Sequence, residues 1–125
     1  MAGKLVRPLE WVGSSKNDLR EFPDDVQDHI GFALHQAQLG LKHRDAKSLS
    51  SLGSGVFEVV SDFDTNTYRA VYAIRFRHAV YVLHAFQKKS KRGIGTPKAE
   101  IDLVERRLKA AERHYEATYG KGSKP

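Results

Sequence analysis

Residues 56–86 read VFEVVSDFDTNTYRAVYAIRFRHAVYVLHAF, and this stretch decides the fold class. β-Branched and aromatic residues fill it and alternate with polar ones, which is the pattern of half-buried strands. The pattern predicts three strands, at Val56–Phe63, Tyr68–Phe76 and Ala79–Phe86. The Asp-Thr-Asn-Thr cluster at 64–67 is a turn signal, and only two residues separate the second strand from the third. Since short connections join antiparallel neighbours, the stretch predicts an antiparallel meander.

A strand and a helical hairpin are predicted before this meander. Leu5–Val12 favours a short first strand that can join the sheet. One helix is predicted over Lys16–Phe22. A second begins at Pro23 and stops at Gly40, because proline suits a first helical turn and glycine a C-terminal end. The polar residues 41–55 are predicted to form a loop.

A long C-terminal helix is predicted after the meander. Thr96 suits its N-cap and Pro97 its first position, and apolar residues then recur at spacings of three and four until about Tyr119. Residues 120–125 are predicted to be a flexible basic tail. We therefore expect one α+β domain over residues 1–119, with the order β-α-α-β-β-β and a C-terminal helix. Its helices should lie against one face of a small twisted antiparallel sheet.

The composition is that of a small globular protein. The chain has 125 residues, of which 40% are hydrophobic and 29% charged, enough for a single domain with its own core. Cysteine is absent, which excludes disulfides and thiolate metal sites. The apolar runs are too short to span a bilayer or to form a signal peptide. We expect a cytoplasmic protein without membrane contact and without a cofactor.

Positive charge is concentrated in the second half of the chain. Residues 1–74 contain 8 Lys and Arg against 10 Asp and Glu, whereas residues 75–125 contain 13 against 5. No acidic residue occurs between Asp64 and Glu100, although eight basic residues do. If this segment forms one surface, its positive field favours a polyanion such as nucleic acid. The alternatives are a solvated basic face, an acidic protein partner and, less favoured, a membrane surface.

Histidine and glutamate side chains are candidates for proton transfer, as is a lysine that lies among other cations. The spacing of the six histidines matches no zinc-binding pattern, so we expect no metal site. His84 shares strand parity with Val80 and Val82. It is either a core histidine or a neighbour of the basic loop at residues 87–96. Glu58 is either paired with Arg69 across the hairpin or a general base.

A group of cations is predicted at one edge of the sheet. Arg69 lies in the second strand of the meander, and Lys88 and Lys89 end the third, which runs antiparallel to it. These three therefore meet at the same edge, with Lys91 and Arg92 just beyond. Arginine can hold two phosphate oxygens and lysine adds positive charge, so the group suits phosphodiester cleavage by a 2′-hydroxyl. Phosphate binding without cleavage is the alternative.

Three segments resemble a known family. The most specific is the run Val82–Ser90, VLHAFQKKS, which a short loop, Thr-Pro and a helix follow. The other two are VFEV at 56–59 and YRAVY at 68–72. Together with the order β-α-α-β-β-β, they resemble the phage-derived, HigB-like branch of the RelE/ParE toxin superfamily. The resemblance extends over most of the chain.

The resemblance implies the toxin of a type II toxin–antitoxin pair. It implies a ribosome-dependent, metal-independent endoribonuclease, or mRNA interferase, that a small helix-turn-helix antitoxin silences. By this resemblance Arg69 holds the scissile phosphate, Lys88 and Lys89 match the family's lysine pair, and Lys47 matches a basic loop residue. The expected catalytic residues are Arg69, Lys88, Lys89 and His84, and the expected RNA-binding residues are Lys47, Arg75, Lys91 and Arg92. The expected partners are the antitoxin, mRNA and the ribosome.

Two other functions stay open at the level of sequence. The superfamily also contains non-enzymatic toxins of the ParE type, which inhibit gyrase, and attenuated relatives that only bind an antitoxin. Val60 also replaces an arginine of the family's strand motif, and the final helix is longer than in the minimal toxin.

Overall fold

A computed structural model describes residues 6–88 and 96–120. Its elements, in chain order, are β1 Leu9–Trp11, α1 Ser15–Arg20, α2 Asp24–Gln38, β2 Ala46–Ser48, β3 Val56–Phe63, β4 Asn66–Ala73, β5 Val80–Lys88 and α3 Lys98–Tyr119, with a 3-10 turn at Ser50–Leu52. The predicted α+β class is confirmed, with β2 as an additional short strand.

None of the helices in the described ranges has the length and apolar character needed to cross a bilayer. Lys89, Lys91, Arg92 and residues 121–125 of the predicted tail lie outside these ranges.

The five strands within the described ranges form one sheet in the order β1-β5-β4-β3-β2. β2, β3, β4 and β5 pair antiparallel, as the short turns of the meander predict. β1 instead runs parallel to β5, with Leu9 opposite Val80. The alternation of a three-residue strand does not encode its direction, so the sequence pattern did not predict a parallel pair. The sheet is therefore mixed at its β1 edge.

β2 is a strand that the sequence pattern does not reveal. It lies within residues 41–55, the predicted loop, and it pairs with β3 so that Lys47 is opposite Glu58. Ala46 is buried, whereas Lys47 and Ser48 are exposed. A single inward residue gives no periodicity, so the pairing depends on the neighbouring strand and not on propensity. The loop prediction is wrong for these three residues.

Helices cover both faces of the sheet. On the face that we call the α2 face, Ile30 of α2 packs in one core with Val59. On the opposite face, the α3 face, Val104 of α3 packs in a second core with Val71 and Leu83. The expectation that all helices lie against one face is wrong. β5 is buried along almost its whole length, and a strand that is apolar on both sides needs a layer on each.

A β-bulge in β5 changes the face on which His84 lies. Val71 of β4 pairs with His84, but the next residue, Tyr72, pairs with Val82, so Leu83 is the extra residue. Val82 packs on the α2 face, whereas Leu83 and His84 both point toward α3. The prediction from strand parity that His84 lies on the same face as Val82 is therefore wrong, because the bulge reverses the alternation.

Candidate functional site

One patch of the α3 face, next to the N-terminus of α3, is polar. Strand alternation brings side chains from all four antiparallel strands to this patch. Others reach it from the first half of α3 and from the segment before this helix. We call the following eight residues the polar cluster: Lys47, Glu58, Arg69, His84, Lys88, Thr96, Glu100 and Arg107.

Arg69 and Glu58 form the centre of the polar cluster. The Arg69 Nη1 donates to Glu58 Oε1 over 2.8 Å, and the two side chains are only 11% and 6% exposed. The Thr96 hydroxyl donates a short hydrogen bond to the other Glu58 oxygen. Glu58 therefore holds both the strand arginine and the segment that leads into α3. Of the two alternatives for Glu58, the structure shows the pairing with Arg69, so the predicted group of cations has an acidic neighbour at Arg69.

The Arg69 guanidinium keeps donor capacity beyond this ion pair. Its Nε–H is buried and has no hydrogen-bond acceptor within the described part of the chain. A buried donor without an acceptor costs about 1–3 kcal/mol. An anion that accepts a hydrogen bond from Arg69 would recover part of this free energy. Arg69 is thus a suitable anion-binding group whose orientation Glu58 fixes.

His84 is held between an acid and an arginine. Its Nε2 lies 2.6 Å from Glu100 Oε1, and its ring stacks on Phe86 with 4.7 Å between the centroids. Its Nδ1 lies 3.4 Å from the Nη1 of Arg107. Because arginine can only donate, Nδ1 is the acceptor nitrogen, and the proton of the neutral ring lies on Nε2, toward Glu100. This arrangement gives a histidine–carboxylate pair that can transfer a proton.

The two lysines of the polar cluster differ in exposure. Lys88 is only 6% exposed and lies diagonally across from Arg69, whose direct partner on β5 is Phe86. Diagonal neighbours on antiparallel strands are about 7–8 Å apart, so both side chains can reach one phosphate. Lys47 is exposed on β2, opposite Glu58. Four of the predicted site residues are therefore brought to one patch.

Arg75, predicted to contact RNA, lies outside the polar cluster. It follows the opposite end of β4, where its Nη1 binds Glu112 over 3.1 Å and its Nη2 donates to the Leu52 carbonyl over 3.0 Å. It also lines a groove of about 600 Å³ together with Gly53 and Gly55. In this position Arg75 links α3 to the 3-10 turn, and Glu112 balances its charge.

Thr96, Glu100 and Arg107 are members of the polar cluster that the sequence did not indicate as site residues. Thr96 was expected to cap α3, but the N-cap is Pro97, and the Thr96 hydroxyl is bound to Glu58 instead. Glu100 and Arg107 lie two turns apart on α3 and meet His84 only because the helix packs across β5. The only signal for this group in the sequence was the Thr-Pro pair at the helix start.

A second group of ionisable side chains lies on the α2 face. His29 of α2 comes together with His43 and Asp45, which precede β2, and one ligand atom of each lies within 4.8 Å of the others. The expectation of no metal site rests on sequence spacing alone, which does not indicate this group. Sequence spacing could not show it, because a loop folds back beside a helix.

Comparison with protein families places most of the chain in one family. Residues 17–109 match the family described as "Phage derived protein Gp49-like (DUF891)". The matched segment runs from α1 into α3 and includes every residue of the polar cluster. No curated protein matches the chain. On the family match, the chain belongs to the phage-derived Gp49-like family, which lies in the RelE-like group of toxin–antitoxin toxins.

Proposed function

We propose that this protein is the toxin of a type II toxin–antitoxin pair and that it cleaves mRNA on the ribosome. The reaction is the attack of an RNA 2′-hydroxyl on the adjacent phosphate. The observation that carries the proposal is the polar cluster, in which an ion pair fixes Arg69 and Lys88 lies beside it. Family membership supports the assignment as a toxin, whereas the choice of chemistry rests on the cluster.

The reaction needs positive charge at the phosphate. Negative charge builds up on the phosphoryl oxygens in the transition state, and donors that are already aligned and removed from bulk water stabilise it best. Arg69 and Lys88 meet this need, since both are nearly buried on one sheet face. We assign these two side chains to the scissile phosphate. Lys89 stays a predicted catalytic residue, and Lys91 and Arg92 stay predicted RNA contacts.

The reaction also needs a proton acceptor for the 2′-hydroxyl and a proton donor for the leaving oxygen. The His84–Glu100 pair, 2.6 Å apart, can serve as either. Glu58 is the second carboxylate of the cluster, but Arg69 and Thr96 occupy its two oxygens. We assign proton transfer to the His84–Glu100 pair, because its carboxylate is 33% exposed whereas Glu58 is only 6% exposed, and we assign the orientation of Arg69 to Glu58.

Membership in this family implies an antitoxin partner. We take this partner to be a small helix-turn-helix protein whose acidic residues cover the polar cluster, since opposite charges give complementarity at an interface. The exposed Lys47 would then contact either the RNA backbone or the antitoxin. Binding of the antitoxin would then block the access of RNA to the polar cluster.

Mapping of mRNA 5′ ends soon after induced expression, in a bacterium without the antitoxin, tests this function. We expect new ends inside translated reading frames for the wild type and none for the double variant Arg69→Gln, Glu58→Gln. The double change removes the guanidinium without leaving a buried carboxylate unpaired. The matched control is Arg113→Gln, which changes an exposed arginine of α3 and should cleave like the wild type. Thermal unfolding of each purified variant verifies that it is folded.

The other outcomes each indicate a different function. Growth arrest with DNA damage and intact mRNA would indicate a toxin that inhibits gyrase. No arrest, together with a tight complex with the antitoxin, would indicate a relative that only binds its partner. Unchanged cleavage by a folded double variant would show that the polar cluster is not the active site.

A further inference from the structure

Three ionisable side chains converge on the α2 face, away from the polar cluster. The His29 Nε2 lies 2.9 Å from Asp45 Oδ2, and the His43 Nδ1 lies 3.8 Å from the same oxygen. One nitrogen of each imidazole and one oxygen of the carboxylate all lie within 4.8 Å of one another. Two imidazoles and a carboxylate are a common ligand set for zinc, with water in the fourth position.

The His29 ring is oriented as a metal ligand requires. Its Nδ1 lies 2.7 Å from the hydroxyl of Ser61, a residue of β3 that is only 2% exposed. When Nδ1 donates to this hydroxyl, Nε2 carries a lone pair directed at Asp45. Outer hydrogen bonds of this kind fix the tautomer and the orientation of ligating histidines. A cation between His29 and Asp45 would replace the proton that joins them.

The gaps from Asp45 Oδ2 to the two histidines are close to those of a zinc site, and one nitrogen of each imidazole lies within 4.8 Å of the other. Bonds of about 2.0–2.2 Å in a tetrahedron place neighbouring ligand atoms about 3.4 Å apart. The gaps of 2.9 and 3.8 Å lie on either side of this value. The Asp45 side chain is 44% exposed, so its carboxylate can turn to equalise the two distances. A metal on His43 Nδ1 would displace the hydrogen bond that this nitrogen accepts from the Asp45 N–H.

Some charges around these three side chains attract a cation and others repel it. The Asp45 carboxylate, 2.9 Å from His29 Nε2, supplies one negative charge that attracts a cation. Lys42 and Arg44 border His43 and weaken the attraction for a cation. Burial favours binding, since His43 is only 9% exposed.

We propose that His29, His43 and Asp45 bind a zinc ion. The site would join α2 to the segment that enters β2 and, through Ser61, to β3. Because β2 is a three-residue edge strand, a metal clip beside it would hold Lys47 in place on the opposite face. Zinc binding at this place does not depend on the proposed ribonuclease activity.

Calorimetric titration of zinc chloride into untagged, chelator-treated protein tests the site. We expect one zinc ion per chain. Removal of an outer hydrogen-bond partner weakens metal binding roughly 10- to 100-fold, and we expect a loss of this size for Ser61→Ala. His29→Ala and Asp45→Asn each remove a ligand and should weaken zinc binding by at least as much. The matched control is His35→Ala, which removes an exposed histidine from the same helix and should leave the affinity unchanged.

Thermal unfolding gives an independent measurement. A ligand that binds only the folded state stabilises it, so zinc should raise the Tm of the wild type and of His35→Ala but not that of Asp45→Asn. Asp45 is exposed enough for its variant to fold, which keeps the comparison valid if His29→Ala does not. The proposal is overturned by the absence of saturable binding, by equal affinity in Asp45→Asn and the wild type, or by loss of binding in His35→Ala.

Discussion

Arg69 and Glu58 form an ion pair that the sheet and Thr96 remove almost entirely from water. Taking two charges out of water costs several kcal/mol for each ion, and their mutual attraction offsets that cost only while both are present. The pair therefore adds little net stability, but neither member can be lost alone without a large penalty. The same burial makes Arg69 a fixed donor in a region of low dielectric, which is what the proposed chemistry requires.

We predict that Glu58→Ala lowers the free energy of unfolding by about 3–5 kcal/mol, because Arg69 is left charged, buried and unpaired. The double variant Glu58→Leu, Arg69→Met should recover most of this loss. Urea titration measures both. The control is Asp102→Ala, which breaks the exposed Lys98–Asp102 pair and should cost no more than about 1 kcal/mol. If Glu58→Ala were as stable as this control, the pair would not be buried in solution.

Two glycines show how the elements depend on backbone geometry. Gly55, at the turn into β3, has a φ of +80°, and a Cβ added there would lie 2.8 Å from the Cβ of Arg75. Gly31 lies within α2, where an added Cβ would meet no described atom within 4 Å. The turn therefore requires glycine at 55, whereas glycine at 31 only weakens the helix.

We predict opposite effects for alanine at these two positions. Gly31→Ala should raise the free energy of unfolding by about 0.5–1 kcal/mol, because alanine loses less backbone entropy in a helix. Gly55→Ala should lower it by at least about 1–2 kcal/mol, because the left-handed conformation is strained for a residue with a Cβ. Urea titration of the two variants provides the comparison. A stabilising Gly55→Ala would show that the turn relaxes away from Arg75.

The sequence predicts the helices and strands that have a periodic pattern and a clear end, such as α2, α3 and the meander. It missed β2 and the bulge at Leu83, because each depends on a neighbouring strand and leaves no local pattern. The candidate site likewise contains some contacts that the sequence predicts and others that it does not. The pairing of Arg69 with Glu58 was open to prediction, since the hairpin register makes them diagonal neighbours. Thr96 and Glu100 were not, because they reach the site through the packing of α3.

The two cores share the central strands of one sheet. Val71 of β4 lies in the α3 core, while its neighbour Tyr72 lies in the α2 core. Loss of either helical layer would expose an apolar face of the strands that carry Arg69 and His84. The fold is therefore expected to unfold as one unit, and the geometry of the polar cluster depends on both layers.

We predict that the fluorescence of Trp11, the single tryptophan, and the far-UV circular dichroism report the same urea transition. Ile30→Ala in the α2 core and Leu108→Ala in the α3 core should each cost about 2–5 kcal/mol and shift both signals equally. Leu41→Ala, at a side chain that is 47% exposed, is the control and should shift neither by more than about 0.5 kcal/mol. If Ile30→Ala moved one signal without the other, the two layers would unfold separately. The α2 layer, with its histidines, could then loosen while the polar cluster stayed intact, which the shared strands argue against.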